Sequence, residues 1–187
     1  MITLKGKHIY LKALELQDCR KLIEDFEPVE PVPTEILHPE VSVDAAEHWF
    51  DQIQGKQGDS HFYFGIFTGD NLLIGDIQLS RIDWQSRTSD LGIGFSRAID
   101  RGKGYGREAM VLILDFAFYQ LDLYRVTVMT CEHNKPMRSL AEKTGFHLEG
   151  VKRKAVFING KRWDKIIYGI LQDEWKKCKK QKSGENL

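Results

Sequence analysis

Arg101-Gly102-Lys103-Gly104-Tyr105-Gly106-Arg107 stands directly before an apolar run at residues 109–119. Glycine takes positive φ without a Cβ penalty and lets backbone approach a ligand closely. A helix N-terminus presents unpaired N–H groups and about half a positive charge, which suits a phosphate. Ahead of the loop, residues 90–95 (Asp-Leu-Gly-Ile-Gly-Phe) read as a strand, so the layout is strand, glycine loop, helix. The spacing excludes two familiar phosphate loops. There is no Gly-Lys-Ser/Thr ending as in a Walker loop, and glycines at 102, 104 and 106 miss the dinucleotide pattern G-x-G-x-x-G. The pattern R-x-x-G-x-G is met by Arg101, Gly104 and Gly106. On the loop alone, a glycine-rich turn with no ligand is the alternative.

Downstream, residues 122–130 read as a strand in which Val126 and Val128 alternate. A helix follows, capped by Asn134, with Pro136 in its first turn, Met137, Leu140 and Ala141 on one face, and Gly145 as its stop. Residues 155–168 read as a hairpin around Asn159-Gly160. Taken together, R-x-x-G-x-G, the segment from Asn134 through Met137 and Leu140 to Gly145-Phe146 and Glu149-Gly150, and the hairpin resemble the GNAT superfamily of acetyl-CoA-dependent N-acetyltransferases. The hairpin and the Gly-Ile-Leu-x-x-Glu-Trp stretch after it look like the Rim-type and spermidine-acetyltransferase-like branch. The motifs run in order from Ile9 to about Trp175.

Composition sets the bounds. With 187 residues, 42% of them hydrophobic, the chain suits one domain with a full core. Its 27 basic and 27 acidic residues cancel, which argues against a nucleic-acid partner. No stretch approaches the roughly 18 apolar residues of a spanning helix, and the start has no signal-peptide pattern, so no membrane partner is expected. Cys19, Cys131 and Cys178 are scattered, which suggests reduced thiols and a cytoplasmic protein. His38, His48 and His61 lack a metal-ligand spacing, and no metal is expected.

The remaining elements read as a strand at 8–13, a short helix at 18–26, a proline-rich loop at 28–39, and a helix after Ser42 that buries Ala45, Trp49, Phe50 and Ile53. A hairpin spans 61–84, and a last helix covers about 172–180. The alternation is mixed α/β. With the resemblance it implies a single domain over residues 1–175: a mixed, mostly antiparallel twisted sheet of about seven strands, flanked by helices, with an extra C-terminal helix. Residues 176–187 form a basic tail, whose lysines read as a solvated helix end.

The resemblance implies acetyl-CoA as cosubstrate. The loop Arg101, Gly102, Lys103, Gly104, Tyr105, Gly106 and Arg107 would cradle its pyrophosphate, with the three cations adding charge. The pantetheine arm would pair along residues 94–96, with Phe95 offering a backbone N–H to the thioester oxygen and Ser96 beside it. Asn134 would reach the pantetheine from the other side. Asp90 is placed where related enzymes hold a carboxylate base; one methylene shorter than Glu, it would act through water, and a plain surface aspartate is the alternative. Ala141 stands where many members carry a tyrosine acid, which weakens a tyrosine-acid mechanism. Cys131 reads as a packed thiol rather than a covalent nucleophile, since no His–Cys pairing is visible.

The acceptor side in this superfamily is built from the first two helices and their connection. Between Lys21 and Lys56 there is no Lys or Arg, against nine acids: Glu24, Asp25, Glu27, Glu30, Glu35, Glu40, Asp44, Glu47 and Asp51. Such a surface concentrates cations, so a cationic small-molecule or peptide amine is expected, polyamine-like or a protein N-terminus. Solvation of exposed helices is the alternative. The expected activity is N-acetylation of a primary amine by direct attack in a ternary complex. A non-catalytic acyl-CoA-binding regulatory module on the same fold is the alternative, and a homo-oligomer is compatible with either.

Overall fold

Alternating apolar residues fold the chain around one eight-stranded sheet. The structure, a computed structural model, describes residues 2–27, 42 and 45–183. In chain order the elements are β1 (Thr3–Lys5), β2 (Ile9–Lys12), α1 (Leu16–Glu24), α2 (Ala45–Gln54), β3 (Phe62–Thr68), β4 (Leu73–Asp83), β5 (Thr88–Phe95), α3 (Tyr105–Asp115), β6 (Arg125–Cys131), α4 (Lys135–Thr144), β7 (His147–Ile158), β8 (Lys161–Leu171) and α5 (Gln172–Ser183). The strand order is β1-β2-β3-β4-β5-β6-β8-β7, and β5–β6 is the parallel neighbour pair. About seven strands become eight because Thr3–Lys5 adds a short edge strand, pairing Leu4 with Leu11. Three residues show no periodicity by which to find it.

One face of the sheet carries the main core. Met110, Ile113, Leu114 and Phe116 pack there with Ile77, Leu79, Val126 and Val128. On the other face α1 and α2 close a smaller cluster of Leu14, Cys19, Leu22, Ala46, Ile53, Phe67 and Leu73. The proline-rich loop lies outside the described residues.

Two deviations from simple periodicity shape the ends of elements. The apolar run at 109–119 is not one regular helix, since α3 gives way to a π-turn at Phe116–Gln120. Gln172, opening α5, donates its amide to the carbonyls of Phe118 at 2.9 Å and Leu123 at 3.3 Å, satisfying backbone that the turn leaves open. At the other end of the sheet, Asn159 and Gly160 take φ of 49° and 75°, the left-handed pair that a two-residue hairpin turn requires. Lys179 pairs with Asp115 at 2.8 Å, so part of the basic tail is packed on α3. Among the described residues, no helix is long and apolar enough to cross a membrane.

Candidate active site

The sheet opens where its one parallel pair ends. β5 and β6 pair over Thr88–Asp90 against Arg125–Thr127, and beyond that rung no pairing joins them. β5 continues on β4 alone, through Gly92↔Gln78, Ile93↔Ile77, Gly94↔Asp76 and Phe95↔Gly75. β6 continues on β8 alone to Cys131. The result is a wedge with two strand edges facing each other. Ser96 donates its N–H to Ile74 on the β4 side at 3.1 Å. Ladder alternation therefore turns the N–H and C=O of Phe95 into the wedge.

At the wedge mouth lies the glycine loop. Gly102 and Gly104 have φ of 76° and 88°, and a Cβ on either would meet no atom within 4 Å. Gly104 is the N-cap of α3, whose first free N–H groups follow it. None of the amides of residues 102–106 donates to an acceptor among the described residues, whereas those of Arg107 and Glu108 return to Gly104. These open amides, at a helix start with positive-φ glycines, have the donor chemistry of an anion cradle. The loop is braced from behind. Glu108 accepts N–H bonds from His8 at 2.8 Å and Ile9 at 3.3 Å, tying α3 to the start of β2. Burial raises the Glu108 pKa, but the hydrogen bonds from His8, Ile9 and Lys7 outweigh it and hold the carboxyl below its ordinary value.

The cations divide by role. Arg101 donates to the carbonyl of Phe95 at 3.0 Å, locking the end of β5 to the loop. Arg97, at 2.8 Å, and Lys103, at 3.8 Å, converge on buried Asp100. Arg107 is exposed and has no ion-pair partner among the described residues. The ring of Phe95 and the side chain of Leu140 close over Gly106, where a Cβ would stand 3.4 Å and 3.3 Å from them. Tyr105 packs on the main core. Ser96 is buried, and its carbonyl takes the Glu27 N–H at 2.8 Å. Asn134 caps α4, its Oδ1 accepting from Met137 at 3.1 Å, which leaves its amide nitrogen without an acceptor among the described residues. Replacing Asn134 with alanine should therefore cost about 1 kcal/mol of stability, readable in urea unfolding.

Asp90 stands at the last parallel rung, opposite Ser80 and Thr127. Both Nε and Nη2 of Arg81 bond its Oδ2. Ala141 is fully buried in the core. Cys131 and His133, which showed no pairing signal in sequence, meet at 3.1 Å (Sγ to Nδ1), with His133 edge-on to Trp163. Cys131 is 1% exposed, too enclosed for a nucleophile.

The acidic segment is only partly described. Glu30, Glu35, Glu40, Asp44 and His38 lie outside the described residues. Of the others, Glu47 pairs with Arg20 at 2.6 Å and Asp25 with Lys21 at 2.8 Å. The Glu27 carboxylate accepts the N–H of Ala98 at 2.7 Å, joining the exit of α1 to the segment after β5. Among the described residues, no three potential ligands gather as a metal site.

Comparison with known proteins accords with this geometry. The family model "Acetyltransferase (GNAT) domain" matches residues 8–147. A Bacillus subtilis protein named "Probable N-acetyltransferase YjcK" is 32% identical over 181 residues, covering 91% of this chain and 98% of its own. Spermidine N(1)-acetyltransferase of Vibrio cholerae is 30% identical over 103 residues, 55% of this chain and 59% of that protein. Among solved structures, a spermidine N-acetyltransferase SpeG chimera from Vibrio cholerae and hSSAT superposes with a TM-score of 0.81 at 25% identity, covering 90% of this chain and 98% of that one.

Proposed function

The chain belongs to the GNAT acetyltransferase family, and from that premise we propose that it moves the acetyl group of acetyl-CoA to a primary amine of a cationic acceptor, by direct attack in a ternary complex. The observation that carries the donor half is the row of unpaired amides at 102–106, at the head of α3 and beside the open edge of β5. A pyrophosphate would take those amides, with exposed Arg107, which has no ion-pair partner among the described residues, directly after them in sequence. The pantetheine arm would lie along the wedge edge, where the N–H of Phe95 faces inward to meet a thioester oxygen. Asn134 offers its free amide nitrogen from the opposite wall. Arg101 and Ser96 would act through the backbone they hold.

For the acceptor, the relatives named spermidine N(1)-acetyltransferase and the acidic composition of residues 22–55 favour a polyamine or another cationic amine. The three free cysteines favour a reducing cytoplasm. Thiol release from acetyl-CoA over a panel of polyamines, aminoglycosides and basic peptides tests the whole reading. A polyamine is expected to turn over fastest; an anionic amino acid as the best substrate would overturn the acceptor assignment. Binding of acetyl-CoA with no turnover on any amine would support the regulatory module instead, which buried Ala141 in place of a tyrosine favours.

Charge steering makes a further prediction. The Debye length falls from about 10 Å at 0.1 M salt to about 3 Å at 1 M. The kcat/KM of the best polyamine should therefore fall severalfold over that range, with kcat nearly constant. Flat kcat/KM would remove the electrostatic argument.

A further inference from the structure

Strand β4 carries a carboxylate that no motif or spacing singles out. Ile77 and Leu79 point into the main core, so Asp76 and Gln78 lie on the opposite face, beneath α1. Their cross-strand neighbours are mostly glycines: Asp76 stands between Gly65 and Gly94, and Gln78 between Tyr63 and Gly92. Glycines in strands often mark close approach of a ligand or another backbone. Both side chains lean toward β5. Oδ1 of Asp76 is 3.4 Å from where a Cβ of Gly94 would stand, and Nε2 of Gln78 is 3.2 Å from that of Gly92. Gly94 immediately precedes Phe95, whose N–H faces the wedge. On the β3 side, Leu14, Phe67 and Leu73 crowd the position of a Gly65 Cβ, giving Asp76 an apolar wall.

Among the described residues Asp76 has neither an ion pair nor a hydrogen bond, and burial alone pushes its pKa up to about 6. Among the same residues, the buried Oε1 of Gln78 also has no hydrogen-bond partner. Two acceptors without partners among the described residues, side by side and next to the thioester edge, complement an ammonium group. The other titratable groups facing Asp76 stay neutral near pH 7. Burial, then the charges of Asp18 and Asp76, push the Cys19 thiol on α1 up to about 12. Burial, then Asp76, also raises Tyr63 on β3, against a hydrogen bond from Gln78. β5 contributes Gly92 and Gly94 here, and the Arg81–Asp90 pair lies four residues farther along the strands.

We propose that Asp76, with Gln78 beside it, seats the acceptor's primary ammonium and takes its proton. This rests on the acetyltransferase reading above. The N–H electron pair stays on nitrogen as the proton passes to the Asp76 carboxylate. The freed lone pair attacks the thioester carbonyl carbon, and the C–S bond breaks with its electrons on the CoA sulfur. A second N–H proton, acidified once the nitrogen is acylated, ends on that thiolate. A base must be deprotonated to act, so activity rises with pH through the Asp76 titration and is lost below it.

The test is the pH profile of kcat/KM on the best amine. In the wild type an acid limb is expected near pH 6. Asp76→Asn should lower kcat about 10²–10⁴-fold and replace the limb with a rise that continues toward the amine's own pKa, because only pre-deprotonated amine then reacts. Asp76→Glu should keep a limb, and Gln78→Met should raise KM while keeping the limb. The melting shift given by acetyl-CoA should survive in Asp76→Asn. Loss of that shift, or a wild-type profile in Asp76→Asn, would overturn the assignment while leaving the acetyltransferase reading intact. A wild type inactive on every amine at every pH would overturn that reading instead, and Asp76 then remains testable by its own titration. A carboxyl whose pKa is raised in the folded state costs stability above that pKa, and the cost fades as pH falls to the unfolded value. Asp76→Asn should therefore melt a few degrees higher than wild type at pH 8 and equally at pH 4; equal melting at both would overturn the poised carboxyl.

Discussion

Gly104→Val is expected to abolish the stabilisation that acetyl-CoA gives the wild-type protein. A ligand that binds only the folded state at about 100 times its Kd adds about 2.7 kcal/mol. At roughly 2–4 °C per kcal/mol for a chain of this size, the wild-type melting temperature should rise by about 5–10 °C. Two independent effects act against the variant. Gly104 has φ of 88° at the N-cap of α3, a conformation in which a β-branched residue is a genuine outlier. The added Cβ would also project where no protein atom lies within 4 Å, in front of the unpaired amides. The first effect lowers the melting temperature of the free protein; the second removes the ligand's shift. Gly104→Ala separates them, since it shares the backbone strain with less bulk, and it should melt lower than wild type yet keep part of the shift. A full acetyl-CoA shift in Gly104→Val would refute the placement of the pyrophosphate on this loop.

The glycine loop was legible in sequence because positive φ leaves a compositional trace. Gly102, Gly104, Gly145 and the Asn159-Gly160 turn all occupy left-handed backbone, and each was marked by a residue type that tolerates it. Asn134 was legible for a similar reason, as caps demand a particular side chain. Asp76 was not. Within Leu73–Asp83 it is one polar residue of an alternating strand, and alternation alone reads as a solvent-facing side chain. What sets it apart is that Gly65 and Gly94 flank it, and cross-strand register is a long-range property. The engagement of Asp90 was hidden by a local irregularity: Arg81 sits at φ of 51° in a bulge of β4, which swings its side chain back over the strand. The contact of Cys131 with His133 depends on the chain turning after β6, which no spacing rule encodes. The folded core and the glycine loop follow from local periodicity and glycine chemistry, while the surroundings of Asp76 and Asp90 emerge only once strands from different parts of the chain are aligned.

Trp175→Ala is expected to cost about 3–5 kcal/mol, the range for truncating a large buried aromatic residue. Trp175 is fully buried in the main core, and its indole Nε1 donates to Asp115 Oδ1 at 2.9 Å. Lys179, one turn farther along α5, takes the other oxygen of the same carboxylate at 2.8 Å. Truncation would thus open a cavity beside the end of α3 and strip Asp115 of one of two partners. Trp175→Phe should be milder, since the ring still fills much of the space and Lys179 keeps Asp115 paired; a loss of about 1–2 kcal/mol is expected. The same geometry bears on where the folding unit stops. A boundary at residue 175 would cut α5 after its fourth residue, leaving Trp175 at a frayed end and removing Lys179, and a helix that short has no stability of its own. We propose that the folding unit extends through Lys179. Residues 1–175 should then melt about 5 °C or more below the full chain, and residues 1–180 close to it, in matched thermal scans. If residues 1–175 melt with the full chain, α5 beyond Trp175 is an appendage, and the basic segment from Lys176 onward is a tail.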